Sequence, residues 1–464
     1  MKKILATVLL LSSFAASAAP QNLPETVQDA LKRAGIPLSS VGIWVQEQNA
    51  AAPLLNINGT RAMNPASTMK LLTTTSALDS LTPAYRWKTE AYLDGKLDNG
   101  ILQGNLVFKG YGDPKLTIEQ FWLWLLELRQ RGLREIRGDV VLDTTYFAPL
   151  THDPAEFDND PTRAYNVGPN ALLLNFNALH LRLIPNGATT TALLEPQLAG
   201  YTLQNRVRTS SKLGCHPNDA YSAHLEGRVM VLQGEIAAEC GEVEDYFSLL
   251  PHEQYFFAAF AALWQELGGS VQGKVRSGTA PLNVSPYATH TSTPVAEVIR
   301  DINKFSNNIM ARQLFLTLSG QEGVAASPQR SAVVVQQWLA KQGLIFPELV
   351  LENGAGLSRR ERITPEHLAQ VLQYAATTPY SAELQASLPI LGIDGTVKKR
   401  FKNCALTGHA HLKTGTLDGV KSIAGYVDAH SGKHWLMVFI INHPRAAQGQ
   451  AAQDALLAWL EKND

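Results

Sequence analysis

Apolar positions along the chain follow two periods, and together they lay out most of the secondary structure. Residues 24–35 place Val27, Ala30, Leu31 and Ala34 on one helical face. Residues 41–45 and 54–57 are short apolar runs around the polar stretch 46–49, which predicts a hairpin. Pro65 precedes a run with helical spacing through residue 78, and proline at that place reads as a helix start. Late in the chain, residues 420–428 and 433–442 flank His430-Ser431-Gly432 and read as a hairpin whose second strand is buried. The last helix, 448–460, offers Ala451, Ala455, Leu456 and Trp459 for packing. Two N-terminal strands before a helix suit a sheet that is continued by those late strands.

Between the halves lies a long span with a different pattern. Residues 86–95 and 101–109 predict paired strands, and 118–131 a helix rich in Trp, Leu and Phe. Runs at 140–143, 172–184 and 229–236 add strands; 255–267 is helical, and 271–275 is a strand after Gly268-Gly269. The span is read as a β-rich insert of two modules, one nested in the other. Its composition agrees with a folded chain throughout. Of 464 residues, 45% are hydrophobic and 17% charged, values that exclude a disordered protein. Net charge is −1 without a long basic run, which argues against a nucleic-acid partner.

The first 18 residues stand outside this fold. Lys2 and Lys3, an apolar stretch at 4–15 and Ala16-Ser17-Ala18 have the make-up of a cleaved secretory signal peptide. No later segment has transmembrane length, so the expected location is the periplasm. Three cysteines are present, and export permits a disulfide. Cys215 and Cys240 are the near pair, although sequence leaves the pairing open; Cys404 would then be a partly buried thiol. The histidines lack metal-ligand spacing and no H-E-x-x-H occurs, so no metal or other cofactor is called for.

Three motifs carry chemistry. Ser67 and Lys70, three residues apart at a helix start, share a face, so an amine can reach a hydroxyl nucleophile. Ser306-Asn307-Asn308 is the only S-x-N, at a break between one helix ending near Lys304 and another starting near Ile309. Lys413-Thr414-Gly415-Thr416 is the only K-T-G. In this order the three sets match the triplet of β-lactamases and penicillin-binding proteins.

The chain therefore resembles the penicillin-recognising serine acyl-enzymes. The long insert, Asn353-Gly354-Ala355-Gly356-Leu357-Ser358-Arg359 and the segment from Leu388 to Thr396 resemble the class C low-molecular-mass penicillin-binding proteins. These are D-Ala-D-Ala carboxypeptidase/endopeptidases of the penicillin-binding protein 4 type. The resemblance implies an α+β fold: a β-lactamase/transpeptidase-like unit, antiparallel sheet flanked by helices, at 19–87 and 284–464. Inserted modules would occupy 88–163 with 247–283, and 164–246 nested within. It implies Ser67 as nucleophile, Lys70 as base and Ser306 as proton relay. Asn308, Lys413, Thr414, Gly415 and Thr416 would bind substrate, with Ser67 and Thr416 N–H groups as oxyanion hole. Arg359 would meet a carboxylate of the peptide stem, and Asp160 and Tyr165 the side-chain end of a diamino acid. Implied partners are peptidoglycan stem peptides and, as covalent inhibitors, β-lactams; a homodimer is left open. A β-lactamase or a non-catalytic wall-binding or penicillin-sensing module would share these motifs.

Overall fold

The computed structural model describes residues 22–211, 214–215, 221–321 and 323–462; the signal-peptide stretch 1–18 lies outside them. The chain starts with helix α1 (Glu25–Ala34), whose left-handed cap at Gly35 closes it with N–H bonds to Leu31 and Lys32. Strands β1 (Val41–Glu47) and β2 (Leu55–Ile57) form the expected hairpin. A 3-10 turn, Ala66–Met69, then runs into α2 (Lys70–Leu81).

Here the chain leaves for the insert. It comprises β3 (Lys88–Asp98), β4 (Ile101–Gly110), α3 (Ile118–Gln130), β5 (Glu135–Ile136) and β6 (Val140–Asp143). Six strands follow: β7 (Leu179–Asn186), β8 (Thr189–Glu195), β9 (Thr202–Ser210), β10 (Tyr221–Glu226), β11 (Val229–Ala237) and β12 (Val243–Phe247). The return path is α4 (His252–Glu266), β13 (Ser270–Val271), β14 (Val275–Ser277) and β15 (Ala288–Thr291). Helices α5 (Val295–Phe305), α6 (Asn308–Gly320), α7 (Pro328–Lys341), α8 (Pro365–Thr377) and α9 (Ser381–Ser387) come next. Strands β16 (Ala410–Leu417), β17 (Val420–Asp428) and β18 (His434–Asn442) and helix α10 (Gln450–Lys462) complete the described chain.

The first and last strands build one antiparallel sheet of order β16-β17-β18-β1-β2. Both faces of it are covered, which is why β18 reads as a continuous apolar run. Trp435, Met437, Phe439 and Ile441 pack in one cluster with α1 and α10, while Leu436, Val438 and Ile440 pack in another with α2, α5, α6 and α8. At two residues per repeat, one strand thus feeds two cores.

The insert has a seven-stranded sheet, with path β13-β5-β4-β3-β15, β6 beside β4 and β14 beside β6, and a six-stranded sheet, β10-β11-β9-β8-β7-β12. One cluster of buried apolar residues runs from Leu102 and Phe108 through Phe121, Trp124, Phe256 and Phe260 to Leu181 and Leu232. The two sheets therefore share a core around α3 and α4. Cys215 and Cys240 are disulfide-bonded.

Some expectations are corrected. The strand expected at 172–184 begins only at Leu179, because Asn175, Phe176 and Asn177 all have positive φ and turn the chain. The single strand at 271–275 is two strands, parallel to β5 and β6. They are separated at Gly273, where a Cβ would lie 2.1 Å from Gly138 O. The seven-stranded sheet extends past the 283 boundary, since β15 pairs with β3 from Ala288↔Ala91 to Thr291↔Lys88. Cys404 is exposed, not partly buried.

The insert also grips the rest of the chain. Helix α6 is buried from Ile309 to Gly320 despite carrying Arg312, Gln313 and Thr317. Those polar side chains face the insert or its root: Arg312 Nη1 donates to Val167 O, Gln313 Nε2 to Asn170 O, and Trp87 Nε1 to Thr317 Oγ1.

Candidate active site

Ser67 lies on the 3-10 turn, one step before α2. The turn is held from outside rather than by its own caps. Asn64 accepts from Ala66 N and donates to Ser358 O, and Ser422 Oγ donates to Pro65 O at 2.6 Å. Two glycines let other chain segments close on it. A Cβ on Gly356 would sit 2.0 Å from Ala66 O, and one on Gly415 2.8 Å from both Pro65 O and Ser67 N. Gly415 was expected to bind substrate; its glycine is required already by the turn that carries Ser67.

Lys70 Nζ lies 2.9 Å from Ser67 Oγ and 2.7 Å from Asn308 Oδ1, and also contacts Ala355 O. The lysine is fully buried. Burial first, then the neighbouring Lys413, and less so Arg312, hold its pKa well below the usual lysine range, against the opposing pull of Glu361. Three oxygens surround Nζ, from Ser67, Asn308 and Ala355. A neutral amine donating to Asn308 Oδ1 and Ala355 O would keep its lone pair free for the Ser67 hydroxyl.

Across the cleft, α5 ends at Ser306, which caps it in the left-handed conformation, φ 57° and ψ 34°. Asn307 restarts the chain as the N-cap of α6, accepting from Met310 N at 3.1 Å. The break aims Ser306 and Asn308 into one cleft, although i and i+2 would diverge on a helix. Lys413, on β16, donates to Ser306 Oγ at 2.9 Å and to Thr414 O at 2.7 Å. Burial lowers its pKa to about 7. Two desolvated lysines thus flank the nucleophile, each touching a serine hydroxyl.

The cleft encloses about 540 Å³ and is lined by Ser67, Ser306, Asn308, Thr414 and Thr416, with Thr396, Lys421 and Arg400 at the β16 edge. Thr414 Oγ1 donates to Thr396 Oγ1 at 2.7 Å. Two residues before Thr396, Asp394 Oδ2 pairs with the buried Lys304 Nζ at 2.6 Å, a contact missed in sequence. The Asp stands in the 388–396 segment singled out in sequence, but nothing in its spacing points to Lys304.

The far wall comes from the insert. Phe157, Asp158 and Tyr165 line the cleft, and Tyr165 OH donates to Asp158 Oδ2 at 2.8 Å. Asp160 does not line it: its carboxylate is taken up by Thr162 and by Arg163 Nε at 2.8 Å. Asp158 stands where Asp160 was expected, two residues off within one acidic stretch that sequence could not resolve. Arg359 sits at the rim, stacked 4.7 Å above the Phe157 ring with Nη1 donating to Asp418 O.

Fold and site together define a serine enzyme with a β-lactamase/transpeptidase-like domain and a large insertion. Comparison with known proteins identifies its family. Residues 23–463 match the D-Ala-D-Ala carboxypeptidase 3 (S13) family, and the chain belongs to it. The D-alanyl-D-alanine carboxypeptidase DacB of Haemophilus influenzae is 28% identical over 418 residues, covering 87% of this chain and 85% of that protein. The D-alanyl-D-alanine carboxypeptidase of Actinomadura is 26% identical over 436 residues, 89% of this chain and 80% of that one. Penicillin binding protein 4 of H. influenzae superposes with a TM-score of 0.77 at 27% identity, covering 94% of this chain and 99% of that one; it has also been solved in complex with a β-lactam. The present chain is accordingly a serine-type D-Ala-D-Ala carboxypeptidase.

Proposed function

We propose that Ser67 cleaves the terminal D-alanyl-D-alanine bond of peptidoglycan stem peptides in the periplasm, and D-alanyl-diaminoacyl cross-links as an endopeptidase. The neutral Lys70 amine takes the Ser67 proton as Oγ bonds to the scissile carbonyl carbon. The oxyanion is met by the N–H groups of Ser67 and Thr416. Ser306, bonded to Lys413, delivers a proton to the departing amine, and water then releases the acyl-enzyme. Lys413, Thr414 and Thr416 receive the substrate carboxylate, and Asn308 its backbone amide. Arg359, Tyr165 and Asp158 would hold the diamino-acid end. The observation that carries this reading is the Lys70–Ser67 contact of 2.9 Å inside a site that desolvates the lysine completely.

The same serine would open a β-lactam ring and retain it, as the complex of the H. influenzae relative suggests. Digestion of purified sacculi with wild type and Ser67→Ala, followed by mass spectrometry of the products, tests the proposal. Loss of one terminal D-alanine from pentapeptide stems with wild type alone is expected. Intact stems beside rapid penicillin turnover would identify a β-lactamase instead.

A further inference from the structure

The segment from Glu352 to Glu361 forms the wall behind Lys70, and its organisation depends on one side chain. Glu361 is fully buried. Its Oε1 accepts three successive backbone N–H groups, from Glu352 at 3.0 Å, Asn353 at 3.0 Å and Gly354 at 3.2 Å. Three donors on one oxygen bend the chain around the carboxylate. Asn353 Oδ1 then accepts from Ala355 N at 2.9 Å, and Thr73 Oγ1 of the catalytic helix donates to Gly354 O at 2.7 Å. The product of this turn is the Ala355 carbonyl, which accepts from Lys70. Gly354 and Gly356, with φ of 66° and 78°, bring the turn against Phe315 and against Ala66 O. Ser358 Oγ closes it by accepting from Glu361 N at 3.0 Å.

The second carboxylate oxygen has no hydrogen-bond partner among the described residues. Burial, and to a lesser extent the nearby Glu352, push the Glu361 carboxyl up, against the three backbone N–H groups that hold it down. A protonated carboxyl would place an O–H donor at Oε2 without an acceptor, whereas an ionised one faces Lys70 and Arg312. The groups around Lys70 are Ser67 on its own turn, Asn308 and Arg312 from α6, Ser306 beyond them, Lys413 from β16, and Ala355 O and Glu361 from this wall. Among these, Lys70, Lys413 and Arg312 are the basic groups and Glu361 is the one carboxylate.

We propose that Glu361 is a positioning residue for acylation, ionised in the folded enzyme. It shapes the turn that presents Ala355 O to Lys70 and supplies the negative charge that balances the lysine pair and Arg312. This deepens the proposed reading of Lys70 as base and rests on it. Glu361 touches neither substrate nor Ser67; it acts through Lys70, whose pKa its charge raises against the effect of burial.

The test is the pH dependence of acylation by a fluorescent penicillin, measured from pH 5 to 9 with wild type, Glu361→Gln and Glu361→Asp. Glutamine keeps an acceptor oxygen but loses the charge. Protons should then leave the lysine pair more readily, so the acid limb moves down by about one pH unit or more. Aspartate keeps the charge on a shorter stem; it should lower the plateau rate by ~10-fold or more and leave the limb near its wild-type position. An acid limb unmoved in Glu361→Gln, at whatever rate, overturns the proposal. So does an Asp variant whose limb moves as far as that of Gln. If Gln does not fold, the Asp limb and plateau decide alone. Wild type that fails to label at Ser67 would instead overturn the reading of the site.

Discussion

Gly356→Ala probes the claim that the nucleophile's turn is held by backbone packed against backbone. The added Cβ would lie 2.0 Å from Ala66 O, 2.4 Å from Ala66 C and 2.8 Å from Ser67 N. Ordinary contact begins near ~3.5 Å, so one of the two segments must retreat by roughly 1.5 Å. The atoms met are backbone, and no side chain can swing aside to accommodate the methyl. Displacement of ~1 Å at a reacting group can cost ~10²-fold in rate, so acylation should fall about that far. The left-handed φ of 78° adds a separate cost of about 1–2 kcal/mol in stability. Gly432→Ala isolates that second cost, because φ is 85° there and a Cβ would meet nothing within 4 Å. Second-order acylation rates with a fluorescent penicillin and thermal unfolding of both variants separate the two effects. The Gly432 variant should lose stability only. A Gly356 variant that acylates within about threefold of wild type, and is no less stable than the Gly432 variant, would refute the reasoning.

Other outcomes follow from the same structure. Lys413→Ala should weaken cleavage of peptides bearing a free carboxylate by ~1.5–3 kcal/mol in kcat/KM and harm a carboxylate-free ester less; equal loss on both would place its main effect on Lys70. Asp113 is buried and its pKa is raised to about 7, above its value of ~3.9 in an unfolded chain. Its contribution to stability is therefore full below pH ~4 and lost as pH rises toward 7. Asp113→Asn should raise Tm at pH 8 and lose that gain toward pH 4, and a gain that grows in acid would contradict this sign. Cys215 and Cys240 should resist alkylation in denatured, non-reduced protein while Cys404 reacts; modification of all three would reject the bridge.

The grouping of the candidate site residues was largely legible in sequence because it rests on short-range devices. Three residues of helical spacing join Ser67 to Lys70, and a turn-forming Ser-Asn-Asn places Ser306 and Asn308 together. Four strands of the central sheet, β1, β2, β17 and β18, were legible as well, β18 because it is apolar on both faces; the apolar pattern did not show β16. Residues that act across the fold were not. Glu361 looks like one charge in an Arg-Arg-Glu-Arg surface run, and only folding buries it behind Lys70. Gly356 carries no sign of the backbone it will meet. The insert's strands β8, β9, β10 and β12 were missed because they are largely exposed on one side and too polar to show as apolar runs. Its grip on α6 was equally hidden, since Gln313 and Thr317 on a buried helix have meaning only beside Asn170 and Trp87.

The central claim is that Ser67 is the nucleophile and Lys70 its base. Mass mapping of proteolytic fragments after brief exposure to penicillin, for wild type and Lys70→Ala, tests it most directly. The account predicts a single adduct on the peptide containing Ser67 in wild type, and a rate of adduct formation reduced by ~10²–10⁴-fold in the lysine variant. An adduct on any other residue, or unaltered modification of Ser67 without Lys70, would contradict it.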